Sequence, residues 1–177
     1  MPAAAPSATA TISLEEYLRT SYRPDCDFVD GQIEERNVGE ATHALLQVEI
    51  AFWFRSHQSD WNIRTLTELR TRVGRTRVRV PDVTVAHNDE AMKEQIRTTP
   101  TLVAIEILSP EDRMNRVILR LKDFLGMGIE HVWLFDPLER VAYTYTASGL
   151  KLAEGARLTI ADSPIYLDLP EVFSALD

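Results

Sequence analysis

An α/β fold with a mixed central sheet is the architecture this sequence predicts, and three observations carry it. A helical apolar period runs from Ala41 to about His57. Three strand-like segments follow it, the last being the apolar run Leu102–Ser109. A second amphipathic helix, from about Asp112 to Met127, then leads into another core strand, His131–Phe135.

Taken in order, residues Met1 to Thr11 are rich in Ala, Pro, Ser and Thr with neither a basic start nor an apolar core, so residues 1–12 are expected to form a disordered tail rather than a secretion signal. Ser13 followed by Glu15 and Glu16 has the pattern of a helix N-cap with acids in the first turn. Asp30-Gly31, flanked by Phe28, Val29 and Ile33, predicts a tight hairpin over Asp27–Asn37. In the long helix, Ala41, Leu45, Val48 and Phe52 mark the face expected to pack on a core, widened by Ala44, Leu46, Ile50 and Trp53. Strands are expected at Asn62–Arg72, Arg77–Ala86 and Leu102–Ser109, with a polar segment, Asn88–Pro100, that has room for a turn of helix. Val117, Ile118, Leu121, Phe124 and Leu125 give the second helix its apolar face, and Gly126 and Gly128 its stop. Val141–Thr146 alternates like a hairpin partner of His131–Phe135, and the C-terminal part predicts short strands and a small helix near Glu171–Leu176.

The 177 residues suffice for one domain, residues 13–177, and no run approaches the roughly 18 apolar residues of a membrane-spanning helix. A mean hydropathy of −0.17 and 45% apolar residues fit a water-soluble chain with a sizeable core. Cys26 is the only cysteine, which excludes an intramolecular disulfide and cysteine-rich zinc frameworks, and a cytoplasmic location is expected. The net charge of −8 opposes non-specific binding to a polyanion. Within that acidic chain, Arg64, Arg70, Arg72, Arg75, Arg77 and Arg79 face one acid, Glu68. The stripe is either a charged sheet edge that resists pairing or a contact for nucleic-acid phosphates, with Arg72, Arg75, Arg77 and Arg79 the candidates.

Glu106 is the most informative residue, because it sets one carboxylate inside the apolar run Val103–Leu108, where an unpaired charge costs several kcal/mol. A metal ion, a buried cationic side chain or protonation must compensate it. Asp82 is its natural companion, since Pro81 interrupts ladder hydrogen bonding just before it and marks a bend or opening. Two carboxylates on adjacent strands suit one hard cation such as Mg²⁺, which can activate water and neutralise charge on a reacting phosphate. Lys122 lies at the edge of the second helix's apolar face and can reach the sheet from there, and Arg120 flanks the other edge equally well. Nucleophile elbows, HExxH spacing and phosphate-binding glycine loops are missing from the sequence. Trp53, Trp61 and Trp133 fall in expected core elements, so packing rather than base stacking is their expected role.

Val80-Pro81-Asp82-Val83, Val103-Ala104-Ile105-Glu106-Ile107-Leu108-Ser109-Pro110, Lys122 and Gly128-Ile129-Glu130-His131-Val132-Trp133-Leu134-Phe135-Asp136-Pro137, in that order, resemble the Uma family of restriction-endonuclease-like proteins, a branch of the PD-(D/E)XK nucleases. Asp27-Phe28-Val29-Asp30-Gly31 and His43 are similar to its N-terminal pattern. The resemblance implies a restriction endonuclease-like αβββαβ core and a metal-dependent endonuclease that hydrolyses DNA with Mg²⁺ or Mn²⁺. Asp82 and Glu106 would bind the ion, helped by the backbone carbonyl of Ile107. The lysine usual two positions after the second acid is replaced by Leu108, and Lys122 would take over its role. Glu35, His43 and Glu49 are candidates for a further polar group, while Gln32 stands where relatives carry Glu. A homodimer, DNA as substrate and no membrane association are expected. The alternative is a catalytically inactive module of the same fold that binds nucleic acid or another protein.

Overall fold

The computed structural model describes residues 11–37, 40–89 and 95–177. Its centre is a six-stranded sheet built from β3 (Ile63–Thr67), β6 (Val83–His87), β7 (Val103–Ile107), β8 (His131–Asp136), β9 (Val141–Thr146) and β10 (Gly149–Leu152). The spatial order is β10-β9-β8-β7-β6-β3; β7 and β8 run parallel and every other neighbouring pair is antiparallel. A parallel pair needs a crossover, and α4 (Met114–Met127) provides it before Gly128 ends the helix at a positive φ.

Alternation along β7 decides what each face of the sheet packs against. Val103, Ile105 and Ile107 join Leu46, Ile50 and Phe54 of α2 (Ala41–Ser56) in the larger core cluster, together with Val172 and Phe173 of α5 (Leu169–Ser174). Ala104 faces Val117, Leu121 and Phe124 of α4 on the opposite side. Glu106 shares the parity of Ala104 and is therefore directed toward the α4 side. The tryptophans serve packing as expected: Trp133 is buried, and Trp53 and Trp61, the latter at the end of α3 (Gln58–Trp61), lean on the same core.

A second, four-stranded sheet has the order β2-β1-β5-β4, from β1 (Asp27–Val29), β2 (Gln32–Glu34), β4 (Thr71–Gly74) and β5 (Arg77–Arg79). The Asp30-Gly31 hairpin forms as predicted, with both turn residues at positive φ. Tyr17 of α1 (Leu14–Arg19), Tyr22, Cys26, Phe28 and Val78 make a small core beneath this sheet. Ile12 packs against it and donates its N–H to the carbonyl of Gly31, so this residue of the expected tail is part of the small core's edge. Residues 1–10 lie outside the described residues, as do residues 90–94 of the polar segment.

Several element expectations change. The segment 62–72 is two strands, because Glu68 takes a positive φ between β3 and β4 and turns the chain from one sheet to the other. The segment 77–86 likewise divides into β5 and β6, and the crossing between the sheets is Val80-Pro81-Asp82, where Pro81 has no N–H to give a ladder. On α2 the buried face is His43, Leu46, Ile50 and Phe54, whereas Leu45, Val48 and Phe52, expected to pack, are exposed. The C-terminal strands are β11 (Arg157–Thr159) and β12 (Tyr166–Asp168), a separate two-stranded sheet leading into α5.

Candidate active site

The carboxyl end of β7 and the start of β6 meet in antiparallel register. Val83 faces Ile105, so one step outward Asp82 comes opposite Glu106. Both carboxylates are nearly inaccessible, with Asp82 and Glu106 each 3% exposed. The outer rim of a sheet built around a parallel pair is where such folds place ligands.

Each acid has its own cationic companion. Arg36, from the connection between β2 and α2, binds Asp82 Oδ1. The other oxygen, Oδ2, accepts the backbone N–H of Ile107 at 2.7 Å and lies 3.4 Å from His43 Nε2. Gln47, one turn along α2 from His43, donates to the backbone carbonyl of Asp82 at 3.0 Å, so the helix face that holds the core also fixes the crossing loop. On the other side of the sheet Arg120 brings Nε to 2.9 Å from Glu106 Oε2. Asp112 anchors Arg120 at 3.3 Å, accepts the Ser109 N–H at 2.9 Å and receives Asn37 Nδ2 at 3.2 Å.

Glu106 is less well served than Asp82. Its Oε1 has no hydrogen-bond partner among the described residues, and the angle of Arg120 Nε to Oε2 falls short of a hydrogen bond although the ion pair is close. Burial raises the Glu106 carboxyl, Arg120 partly offsets this, and the nearby Asp82 charge adds to it, leaving its pKa at about 8. Burial pushes Asp82 the same way, but His43, Arg36 and the Ile107 N–H outweigh it and hold Asp82 below the ordinary carboxylate range. Burial alone would lower His43; its contact with Asp82 outweighs burial and raises it. The two adjacent acids are thus pushed in opposite directions, Glu106 up by burial and Asp82 down by the donors around it.

A void of about 20 Å³ lies among Arg36, His43, Asp82, Glu106, Ile107 and Arg120, room for one water or one ion. Next to it a polar cavity of about 390 Å³ shares Asn37, Asp112 and Arg120 and is flanked by Glu35, Arg113 and Arg116. Among the described residues no group of three or more His, Cys, Asp or Glu forms a ready metal site. The donor set nevertheless fits a hard cation: two carboxylates, one of them with an oxygen left over, beside a void of ionic size, with the adjoining cavity to take the waters such a cation keeps.

The expected site residues therefore divide. Asp82, Glu106, His43 and the Ile107 backbone come together; Glu35 is exposed and borders only the adjoining cavity, and Glu49 lines neither. Lys122 is exposed and lines neither cavity, and the place expected for it belongs to Arg120. Two positions along a helix turn a side chain by about 200°, so both cannot face Glu106. The arginine stripe is corrected as well. Arg79 is 2% exposed and spends its guanidinium on Asp27, Glu34 and Asp123, while Arg77 is paired with Asp30 and Asp123. Arg70 pairs with Asp25 and stacks over Tyr17, which leaves Arg72 and Arg75 as exposed members of the predicted contact set. Arg36 carried no sequence signal, since nothing in Glu35-Arg36-Asn37 distinguishes a site residue from a loop residue.

Comparison with known proteins places the chain in a family. The closely matching fold of a putative nuclease belonging to DUF820 from Anabaena variabilis ATCC 29413 is 23% identical, with a TM-score of 0.81 over 93% of this chain and 99% of that one. A DrdV–DNA complex matches 75% of this chain and 10% of its own at 14% identity and a TM-score of 0.40. No curated protein matches the chain. The family model described as "Uma2: Putative restriction endonuclease" matches residues 14–174. With residues 14–174 covered by that model, this chain belongs to the Uma2 family of putative restriction endonucleases.

Proposed function

We propose that the chain is a DNA endonuclease that works with Mg²⁺ or Mn²⁺ at the Asp82–Glu106 pair and acts as a homodimer, one site for each strand. The observation that carries this reading is Glu106 Oε1: a buried carboxylate oxygen without a hydrogen-bond partner among the described residues, next to a void of ionic size and opposite a second carboxylate. Family membership and the restriction endonuclease-like fold support it. Asp82 and Glu106 would hold the ion, with the Ile107 carbonyl as the backbone ligand. When bound, the ion would lower the pKa of a coordinated water and neutralise charge on the phosphate.

The chain's own groups have separate tasks in this reading. His43 and the Ile107 N–H keep Asp82 ionised and fixed in direction. Arg36 compensates Asp82 in the resting protein and must release it for a cation to enter. Arg120 stabilises charge on the scissile phosphate, the task first expected of Lys122. Arg113 and Arg116, exposed on the wall of the adjoining cavity, are placed to meet the flanking phosphates.

A specific observation favours the second reading, a non-catalytic module: both acids already have a guanidinium, and arginine does not give up its proton. Cleavage of supercoiled plasmid and of short single-stranded DNA with Mg²⁺ or Mn²⁺ decides between them. The nuclease reading expects cleavage by the wild type and none by Asp82→Ala or Glu106→Gln purified identically. Intact substrates with the wild type, or activity that survives in Glu106→Gln, would overturn it in favour of the binding module.

A further inference from the structure

The outward face of α2 carries a pattern its own fold does not use. Ala41, Leu45, Val48, Phe52 and Arg55 recur at alternating intervals of four and three residues, the 3.5-residue repeat of a seam between two helices. All five are exposed, Leu45 by 50%, Val48 by 66% and Phe52 by 62%. The buried face of the same helix is complete without them, since Leu46, Ile50 and Phe54 fill the core and His43 and Gln47 hold Asp82. Three large apolar side chains in one line on an acidic surface therefore form a patch of the kind that marks an interaction site.

We infer that this face is the joint between two copies of the chain, with α2 packed antiparallel against α2 of the other copy about an axis close to Val48. The stripe is self-complementary in that sense. A two-fold axis at Val48 brings Leu45 and the small Ala44 against the partner's Phe52, so the bulky end of one helix meets the slender end of the other. It also brings Glu40, at the N-terminal cap, beside the partner's Arg55, in the last turn. Charges and helix dipoles both favour that pairing, whereas a parallel arrangement sets Phe52 on Phe52 and Arg55 on Arg55. The inference rests on the proposed homodimeric nuclease for its purpose, which is to fix the spacing of two acid pairs through the helix that carries His43. Its test reads mass and not cleavage, so the two can fail separately.

Sedimentation equilibrium of the full chain from micromolar to hundreds of micromolar is the test. The wild type is expected at twice the 20.1 kDa chain mass. Val48→Glu sets two carboxylates at the axis, and Phe52→Lys removes the largest contact; both sites are exposed, and each variant is expected to sediment as a monomer with an unchanged far-UV spectrum. Arg55→Glu is expected to weaken the dimer by opposing Glu40, and Glu40→Arg combined with Arg55→Glu to restore it. A wild-type monomer across the range, which would leave the face to a helix of a different protein, overturns the inference. So does a dimer that survives both Val48→Glu and Phe52→Lys, or a double variant that fails to recover.

Discussion

Two arginine–carboxylate clusters lie within one α-helix of each other in this protein, and they differ in what they leave over. Around Arg79 nothing is left: its Nε and both terminal nitrogens bind Asp123, Asp27 and Glu34 at 2.7–2.9 Å, and the second oxygen of Asp27 accepts the Val80 N–H. Around Glu106 an oxygen remains without a hydrogen bond among the described residues, beside a void. The Arg79–Asp27 pair is buried as Glu106 is, and burial raises the carboxyl of Asp27 as it raises that of Glu106. Burial of charge is thus no sign of chemistry by itself; the closed cluster ties the hairpin β1–β2 to β5 and α4, and the open one has capacity for a ligand.

The largest expected effect breaks the closed cluster. Arg79→Ala strands Asp27, Glu34 and Asp123 together, and removing one side of a buried ion pair costs about 3–5 kcal/mol. Urea unfolding should show a loss of that order, and a change within about 0.5 kcal/mol, the range of ordinary surface substitutions, would mean that the cluster is not what holds the four-stranded sheet to α4. Arg120→Met should cost clearly less at pH 6, because Glu106, with its pKa at about 8, already carries a proton there and no bare carboxylate is left behind.

The next effect is one of pH. Glu106 has its folded pKa raised from 4.5 to about 8, so between those values the folded chain holds a proton that the unfolded chain has released. Its contribution to stability is present in acid and falls as pH rises through that window. His43, raised above 6.5, acts in the same direction, while Asp82, lowered from 3.8, is ionised throughout. The wild-type melting temperature is therefore expected to fall between pH 6 and pH 8.5, and Glu106→Gln to flatten the fall without abolishing it. Equal slopes in the two proteins would show that Glu106 is not carrying its proton to neutral pH.

A smaller effect concerns where the proposed DNA substrate would lie. Arg113→Ala with Arg116→Ala should weaken DNA retention and lower its salt dependence, as expected when two phosphate contacts are lost. Arg77→Ala should instead act on stability through Asp30 and Asp123. Retention lost in Arg77→Ala alone, in a protein that melts like the wild type, would return the phosphate contact to the predicted stripe.

What was legible in the sequence follows from how local each signal is. An acid inside Val103–Leu108 and a proline beside Asp82 are local contradictions, and both pointed to the site. The hairpin at Asp30-Gly31 and the crossover helix were equally plain. The division of 77–86 between two sheets was not, since Arg77–Arg79 and Val83–His87 are both good strands and only three-dimensional pairing separates them. The face of α2 was misread for a physical reason: it is apolar on two sides, with Leu46, Ile50 and Phe54 on one and Leu45, Val48 and Phe52 on the other, and periodicity does not say which side has the sheet. Arg36 was invisible because its role comes from a contact across 46 residues.

The smallest expected effect is the sharpest on the site itself. The apolar stripe of α4 left Arg120 and Lys122 as equal candidates on either edge, and the pairing of Arg120 with Glu106 breaks that symmetry. With Arg120 turned to the sheet, Lys122 is about 200° away around the helix and meets solvent. Lys122→Ala should then change stability by no more than about 0.5 kcal/mol, the ordinary range for surface positions, and leave cleavage at the wild-type rate. Arg120→Lys gives the complementary reading, because lysine keeps the charge beside Glu106 but loses the fork that also reaches Asp112. A drop in cleavage with Lys122→Ala and none with Arg120→Lys would reverse the assignment, and would require α4 to rotate when the site takes up the proposed ion and DNA.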